Sequence, residues 1–162
     1  MLTFVGEGYT PAFTANYRRI AERLSAGEEI EILSGPDDIC APLLSEASAH
    51  CLLPGPKARD EAAAEAVGKL LGVRIEQGSR LIPDEALLKR LRRAFAADTI
   101  RNACEDCEWS ELCGTVARNH FRNTLVAPAS FPAETTSETD ARLPVKRPPS
   151  GFPAFAAPNP FP

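Results

Sequence analysis

The stretch Cys104-Glu-Asp-Cys107-Glu-Trp-Ser-Glu-Leu-Cys113 holds three of the five cysteines of this 162-residue chain. Two residues separate Cys104 from Cys107, a spacing that lets one turn aim both sulfurs at the same metal. Cys113 follows on a predicted helical turn, from which it can point back at that metal. Acidic residues surround the three thiols, which argues against their burial as small apolar side chains. The stretch therefore predicts a metal centre that also holds the fold together.

The other two cysteines, Cys40 and Cys51, flank a segment from Ala41 to Pro56 that has no hydrophobic period and contains three prolines. We predict a long loop there, ordered by thiol ligation. Ligands from two distant segments would clamp the N-terminal and C-terminal parts of the domain together. His50, beside Cys51, is a further candidate because imidazole binds zinc and iron, although a solvated loop histidine is the simpler interpretation.

The rest of the first 126 residues has a mostly helical pattern. Thr10 can cap a helix that Pro11 opens, and Gly27 and Gly72 stand where helices should stop. The sequence predicts an α+β fold class: a small α-rich domain with one or two short strands and a cysteine-ligated centre. The predicted elements are helices from Pro11, from about Lys57 to Leu71, from Pro83, near Asp98 to Ala103 and from Trp109 to about Phe121, and a strand within Glu28 to Leu33.

The composition changes sharply after Val126. Nine of the fifteen prolines lie between Ala127 and Pro162, mixed with Ser, Thr, Ala and Gly. Proline fixes φ and removes a backbone donor, so this segment should build neither a helix nor a central strand. We predict a cysteine-containing globular domain over residues 1–126 and a disordered proline-rich tail over 127–162.

The charge and hydropathy of the chain narrow its function class. A formal net charge of -4 argues against a nucleic-acid-binding or membrane-surface protein, because the binding surface of such a protein is basic. The apolar stretches are too short to span a bilayer, and Met1 to Thr10 lacks the basic start of a signal peptide. We therefore expect a cytoplasmic protein, in which reduced thiols serve as ligands or redox groups. No catalytic motif is visible, so whether the chain is an enzyme stays open.

On these residues the chain resembles the uncharacterised bacterial and archaeal family called domain of unknown function 1284, over roughly Leu2 to Cys113. The resemblance implies a suspected iron–sulfur cofactor, since members are sometimes described as ferredoxin-like, and no established activity. The matching parts are Leu2 to Tyr9, Gly35 to Cys40, Cys51, Asp60 and Cys104 to Cys113.

The chain departs from the pattern of that family in two places. Family members usually carry Arg-Gly-His-His-Leu-Leu-Cys just before the stretch corresponding to Leu2, and a further cysteine where this chain has Leu43. The set of candidate ligands is therefore smaller than in its relatives. Either the true start lies upstream of Met1, or the chain is shortened and is losing its site.

The leading hypothesis is an iron–sulfur protein that uses four of Cys40, Cys51, Cys104, Cys107 and Cys113 for electron transfer or redox sensing with an unknown redox partner. Ferredoxin-type runs place three cysteines at close intervals and a fourth far away, whereas zinc sites favour two paired knuckles and this chain has one. The cluster type, 4Fe-4S or 2Fe-2S, stays open. The alternatives are a structural zinc site without redox chemistry and a degenerate member that binds no metal.

Overall fold

The computed structural model describes residues 1–46, 49 and 51–127. All of them lie in the first of two units of the chain, Met1–Ser130. Apart from Ala127, the predicted tail lies outside the described residues. Within the described ranges the chain forms four α-helices and a two-stranded antiparallel sheet, so the predicted α-rich α+β domain is confirmed. None of these helices is long and apolar enough to cross a membrane.

Cys113 lies within an α-helix and Cys104 ends a 3₁₀ helix, whereas the other three cysteines lie outside the helices. The elements are α1 (Pro11–Ser25), β1 (Ile30–Glu31), a 3₁₀ helix (Ala41–Leu43), α2 (Pro54–Leu71), β2 (Arg80–Leu81), α3 (Glu85–Ala96), a second 3₁₀ helix (Asn102–Cys104) and α4 (Ser110–Arg118).

The first helix, α1, forms as predicted. The Thr10 hydroxyl accepts a hydrogen bond from the backbone N–H of Phe13 at 3.1 Å, which satisfies one of the donors left free at a helix start. Gly27 follows the helix with φ of 88°, a conformation that favours glycine. The buried face of the helix carries Phe13, Ile20, Ala21 and Leu24.

The second helix, α2, begins at Pro54, so the prediction of a loop through Pro56 was wrong at that end. Proline is accepted in the first turn because the N–H groups there have no partner within the helix. The loop prediction also missed the 3₁₀ helix at Ala41–Leu43. The predicted stop at Gly72 is correct, since this residue has φ of 73° and its N–H donates to the carbonyl of Gly68 at 2.9 Å.

The third helix, α3, begins at Glu85 and not at Pro83. Asp84 caps it, because its carboxylate accepts the N–H of Leu87 at 2.7 Å, and Pro83 is fully buried just before the cap. The predicted strand is shorter than expected, since β1 pairs with only two residues of β2, Ile30 facing Leu81.

The core consists of two apolar clusters that both include residues of α3. The first cluster joins Phe4, Ile20, Ala21, Leu24, Leu88 and Val126. The second cluster joins Leu91, Ala94, Phe95, Ile100 and Ala117, and Cys104 and Cys113 pack against it with the half-buried face of α2. The cysteine-rich stretch therefore lies beside the second cluster, which fixes its position.

Candidate metal centre

Cys104 and Cys107 lie on consecutive tight turns between α3 and α4. Cys104 ends the second 3₁₀ helix, and its carbonyl accepts the N–H of Cys107 at 3.3 Å. Asp106, between them, has φ of 55°, a left-handed conformation that Asp tolerates better than most residues. The carbonyl of Cys107 then accepts the N–H of Ser110 at 2.9 Å, where α4 begins. The chain thus turns twice within the Cys-x-x-Cys stretch.

Arg101 holds both ends of this stretch. Its carbonyl accepts the N–H of Cys104 at 2.8 Å, and its guanidinium donates to the carbonyl and the hydroxyl of Ser110 at 3.1 and 3.3 Å. The same guanidinium pairs with Asp98 and lies 4.8 Å from the centre of the Phe95 ring. One partly buried side chain therefore sets the distance between Cys104 and the start of the helix that carries Cys113.

Cys113 is held on the first turn of α4 and faces the N-terminal segment of the chain. Its sulfur accepts a hydrogen bond from the Thr3 hydroxyl at 3.1 Å. The charge of Cys113 also acts on the Met1 amine and on the Tyr17 hydroxyl, which are hydrogen-bonded to each other. Burial lowers the pKa of the Met1 amine to about 6 and raises the pKa of Tyr17. Cys113 thus lies within electrostatic range of the half-buried Met1 and Tyr17.

Asp37 organises the other cysteine-bearing segment. Its carboxylate accepts the N–H groups of Ile39 and Cys40 at 2.9 and 3.2 Å, as is typical of an Asp at the start of a turn. Cys40 lies at the N-cap of the 3₁₀ helix, and Cys51 contributes a smaller part of the rise in the pKa of its thiol. Burial, opposed by the backbone hydrogen bond with Asp37 and reinforced by the Asp37 charge, raises the pKa of the Cys40 thiol to about 12.

Both cysteine-bearing segments lie within electrostatic range of Tyr17. Asp37 and Cys113 each contribute to the raised pKa of Tyr17 and oppose the lowering of the Met1 amine pKa, although burial is the larger cause at both groups. Asp37 also contributes to the raised pKa of Asp60 on α2, where burial is again the larger cause. These are through-space effects and not contacts between the thiols of the two segments.

Cys107 faces an aromatic group on another side of the stretch. The charges of Cys107 and Glu108 act on Tyr9, whose pKa is raised mainly by burial. The Tyr9 ring meets the Trp109 ring edge-on, with 5.4 Å between centroids. Trp109 is partly buried.

The structure brings the predicted ligands together in part. All five cysteines are free and partly buried, with Cys40 within electrostatic range of Cys51 and Cys104 one turn from Cys107. Among residues 1–46, 49 and 51–127, no three Cys, His, Asp or Glu side chains form a group that could hold a metal ion. His50 lies outside the described residues. His120 is exposed after the end of α4.

A known protein family matches the part of the sequence that contains all five cysteines. The profile of the family described as "Protein of unknown function (DUF1284)" matches residues 8–113, more than half of the chain. The chain belongs to this family. The DUF1284 match contains all five cysteines and ends on Cys113. No curated protein and no solved structure matches the chain.

The donor chemistry of this DUF1284 member fits a soft metal centre. Thiolates are the ligands that zinc and iron–sulfur clusters prefer, and all five thiols here are free. Because the thiols lie in pairs and not in one four-sulfur group, ligation would require the two segments to approach each other.

Sequence reasoning missed Arg101, Tyr17 and the role of Asp37. Of these, Asp37 was signalled, since it belongs to the quoted Gly35 to Cys40 motif.

Proposed function

We propose that the chain holds an iron–sulfur cluster through four of Cys40, Cys51, Cys104, Cys107 and Cys113. The observation that supports the proposal is the geometry of the Cys104–Cys113 stretch, where two consecutive tight turns lead into α4 and Cys113 lies on the first turn of that helix. Three free thiols within ten residues, with Cys40 and Cys51 elsewhere in the chain, are the kind of donor set that a cluster with a remote ligand uses.

Cys104 and Cys107 would supply the first two ligands, because one pair of turns presents both sulfurs. The remaining ligands would come from Cys113 and from the Cys40–Cys51 pair. A bound cluster supplies a site that gains and loses one electron at a time, which suits electron transfer to a partner protein or redox sensing.

The groups around the thiols would shift the reduction potential of such a centre in opposite directions. The Thr3 hydroxyl donates to the Cys113 sulfur and stabilises negative charge there, which favours the reduced state. The exposed carboxylates of Glu105, Asp106 and Glu108 disfavour the extra electron, although solvent screens their charges. The Tyr9 and Trp109 rings limit the access of water on the Cys107 side.

The test is to purify the full chain without oxygen and to measure visible absorption together with iron, acid-labile sulfide and zinc per chain. The proposal predicts a broad brown absorption band and the presence of iron and sulfide together. Stoichiometric zinc without iron would contradict the proposal and favour a structural zinc domain. A colourless chain without metal, even after iron and sulfide are supplied under reducing conditions, would contradict both.

A further inference from the structure

A cavity of about 700 Å³ lies where α4 ends. Its walls come from the last residues of α4, the turn that follows and the N-terminal segment of the chain. Two arginines, Arg118 and Arg122, and two amides, Asn119 and Asn123, contribute hydrogen-bond donors to the lining, beside the carboxylate of Glu7. The cavity is therefore basic, although the chain as a whole carries a net charge of -4.

Most of the donors in this cavity have no acceptor within the described part of the chain. There, the side chains of Asn119, Arg122 and Asn123 make no hydrogen bond or ion pair, and the backbone N–H of Asn123 is also without an acceptor. Arg118 donates to the Thr115 hydroxyl at 2.9 Å and forms no ion pair with any described residue. Because these donors are exposed to water, a ligand that replaces the water must bring stronger acceptors, and a charged oxygen is such an acceptor.

The backbone around the cavity is fixed in an uncommon conformation. His120, Phe121 and Asn123 have φ of 57°, 57° and 66°, in the left-handed region that costs free energy for residues other than glycine. The N–H of His120 donates to the carbonyl of Ala117 at 3.0 Å. The N–H of Phe121 donates to the carbonyl of Val116 at 2.9 Å, and its ring packs against the second apolar cluster. These contacts hold the turn in place before a ligand binds, which lowers the entropy cost of binding.

We propose that this cavity binds the phosphate group of a small phosphorylated molecule. Planar guanidinium groups such as those of Arg118 and Arg122 pair with phosphate oxygens through two parallel hydrogen bonds. The volume is within the range of small-molecule sites, about 300–1,000 Å³, so the cavity can hold more than the phosphate group. The net negative charge of the chain disfavours a polyanion such as a nucleic acid. The site uses none of the candidate metal ligands and does not rest on the proposed iron–sulfur function.

Glu7 gives the proposal a test of sign. Its carboxylate lines the same cavity, and it forms no ion pair with Arg118, Arg122 or any other described residue. The two arginines therefore keep their charge available for a ligand, while Glu7 repels an anion that enters the cavity. Neutralising Glu7 should strengthen the binding of phosphate, whereas neutralising an arginine should weaken it.

The test is isothermal titration calorimetry of the full chain, purified without oxygen, at a constant ionic strength set with sodium chloride. The probes are glycerol phosphate, inorganic phosphate, acetate and a short single-stranded RNA. We expect glycerol phosphate to bind at least as tightly as inorganic phosphate and more tightly than acetate. The proposal would be overturned if glycerol phosphate gives no binding heat, or if inorganic phosphate or the RNA binds more tightly than glycerol phosphate.

Three variants locate the binding. Arg122→Gln should weaken the affinity for glycerol phosphate about tenfold, through the loss of a charged donor, and leave the melting temperature unchanged because the side chain is exposed. Glu7→Gln should strengthen it by about two- to fivefold. Arg74→Gln, which removes the same charge from the lining of another cavity, is the control and should change the affinity less than about twofold. Equal losses in Arg122→Gln and Arg74→Gln, or weaker binding in Glu7→Gln, would contradict the site.

Discussion

Arg101 shows how a single residue fixes the geometry of the cysteine-rich stretch. Its carbonyl holds Cys104, and its side chain holds Ser110 at the start of α4. The planar guanidinium makes these contacts while it covers the Phe95 ring. A lysine ammonium cannot reproduce this combination of directed donors and stacking.

We predict that Arg101→Lys lowers the free energy of unfolding by about 1–3 kcal/mol, because partly buried hydrogen bonds from a charged donor are lost. Arg118→Lys is the matched control. Arg118 is exposed and bonds locally to the Thr115 hydroxyl at 2.9 Å, so its replacement should cost less than about 0.5 kcal/mol. Denaturant unfolding measures both. Equal midpoints for the two variants would show that Arg101 does not hold the stretch.

At the end of helix α2, the backbone of Gly72 and Val73 passes close to Gly68. The carbonyl of Gly68 accepts the N–H groups of Gly72 and Val73 at 2.9 and 3.1 Å. A Cβ placed on Gly68 would lie 2.8 Å from the carbonyl oxygen of Val73, closer than such atoms pack. Gly68 is therefore required by the turn that follows the helix.

We predict that Gly68→Ala destabilises the domain by about 1–3 kcal/mol, because the Val73 backbone must move. Gly55→Ala in the first turn of the same helix is the control. A Cβ there meets no atom within 4 Å apart from its chain neighbours, of which Pro56 disfavours a helical residue with a Cβ, so the loss should be smaller than for Gly68→Ala. Thermal melting distinguishes the two variants. A melting temperature for Gly68→Ala at or above that of the parent chain would contradict the account.

The helices were predictable from the sequence where cap and hydrophobic period agree. Thr10 with Pro11 located α1, and Gly72 located the end of α2. The start of α2 was missed because Pro54 and Pro56 were taken as loop residues, although a first helical turn tolerates proline. The length of β1 was also missed, since it depends on how far the distant β2 pairs with it.

At the scale of the whole molecule, the last described residues, Leu125 to Ala127, pack against the core formed by the N-terminal part of the chain. Val126 is fully buried in the first cluster, and the N–H of Leu125 donates to the carbonyl of Phe4 at 2.8 Å. Arg92 adds a hydrogen bond to the Val126 carbonyl at 2.6 Å. These contacts tie residues near both ends of the domain together.

We predict that a chain ending at Ser130 keeps its fold and metal content, whereas a chain ending at Asn123 loses stability. The second truncation removes Val126, whose burial is worth about 1.5–3 kcal/mol, together with the bonds to Phe4 and Arg92. Circular dichroism and thermal melting measure the difference. Unfolding of the chain that ends at Ser130 would show that residues 131–162 are needed for the fold.

The candidate site was predictable in its residue types but not in its arrangement. Spacing alone indicated that Cys104 and Cys107 share a turn, because that relation is local. The positions of Cys40 and Cys51 relative to the Cys104–Cys113 stretch depend on tertiary packing, which no local pattern encodes. Arg101 carried no sequence signal, since its role comes from tertiary contacts to Ser110 and Phe95.

The central claim is that one metal centre draws ligands from both cysteine-bearing segments. The most direct measurement is the iron content per chain of Cys107→Ser and Cys51→Ser, purified without oxygen beside the parent chain and the control His50→Ala. We predict that iron and sulfide are lost in both cysteine variants, with lower melting temperatures because ligation stabilises the fold, and are retained in the control. Parent-level iron and unchanged melting in Cys107→Ser would contradict the claim.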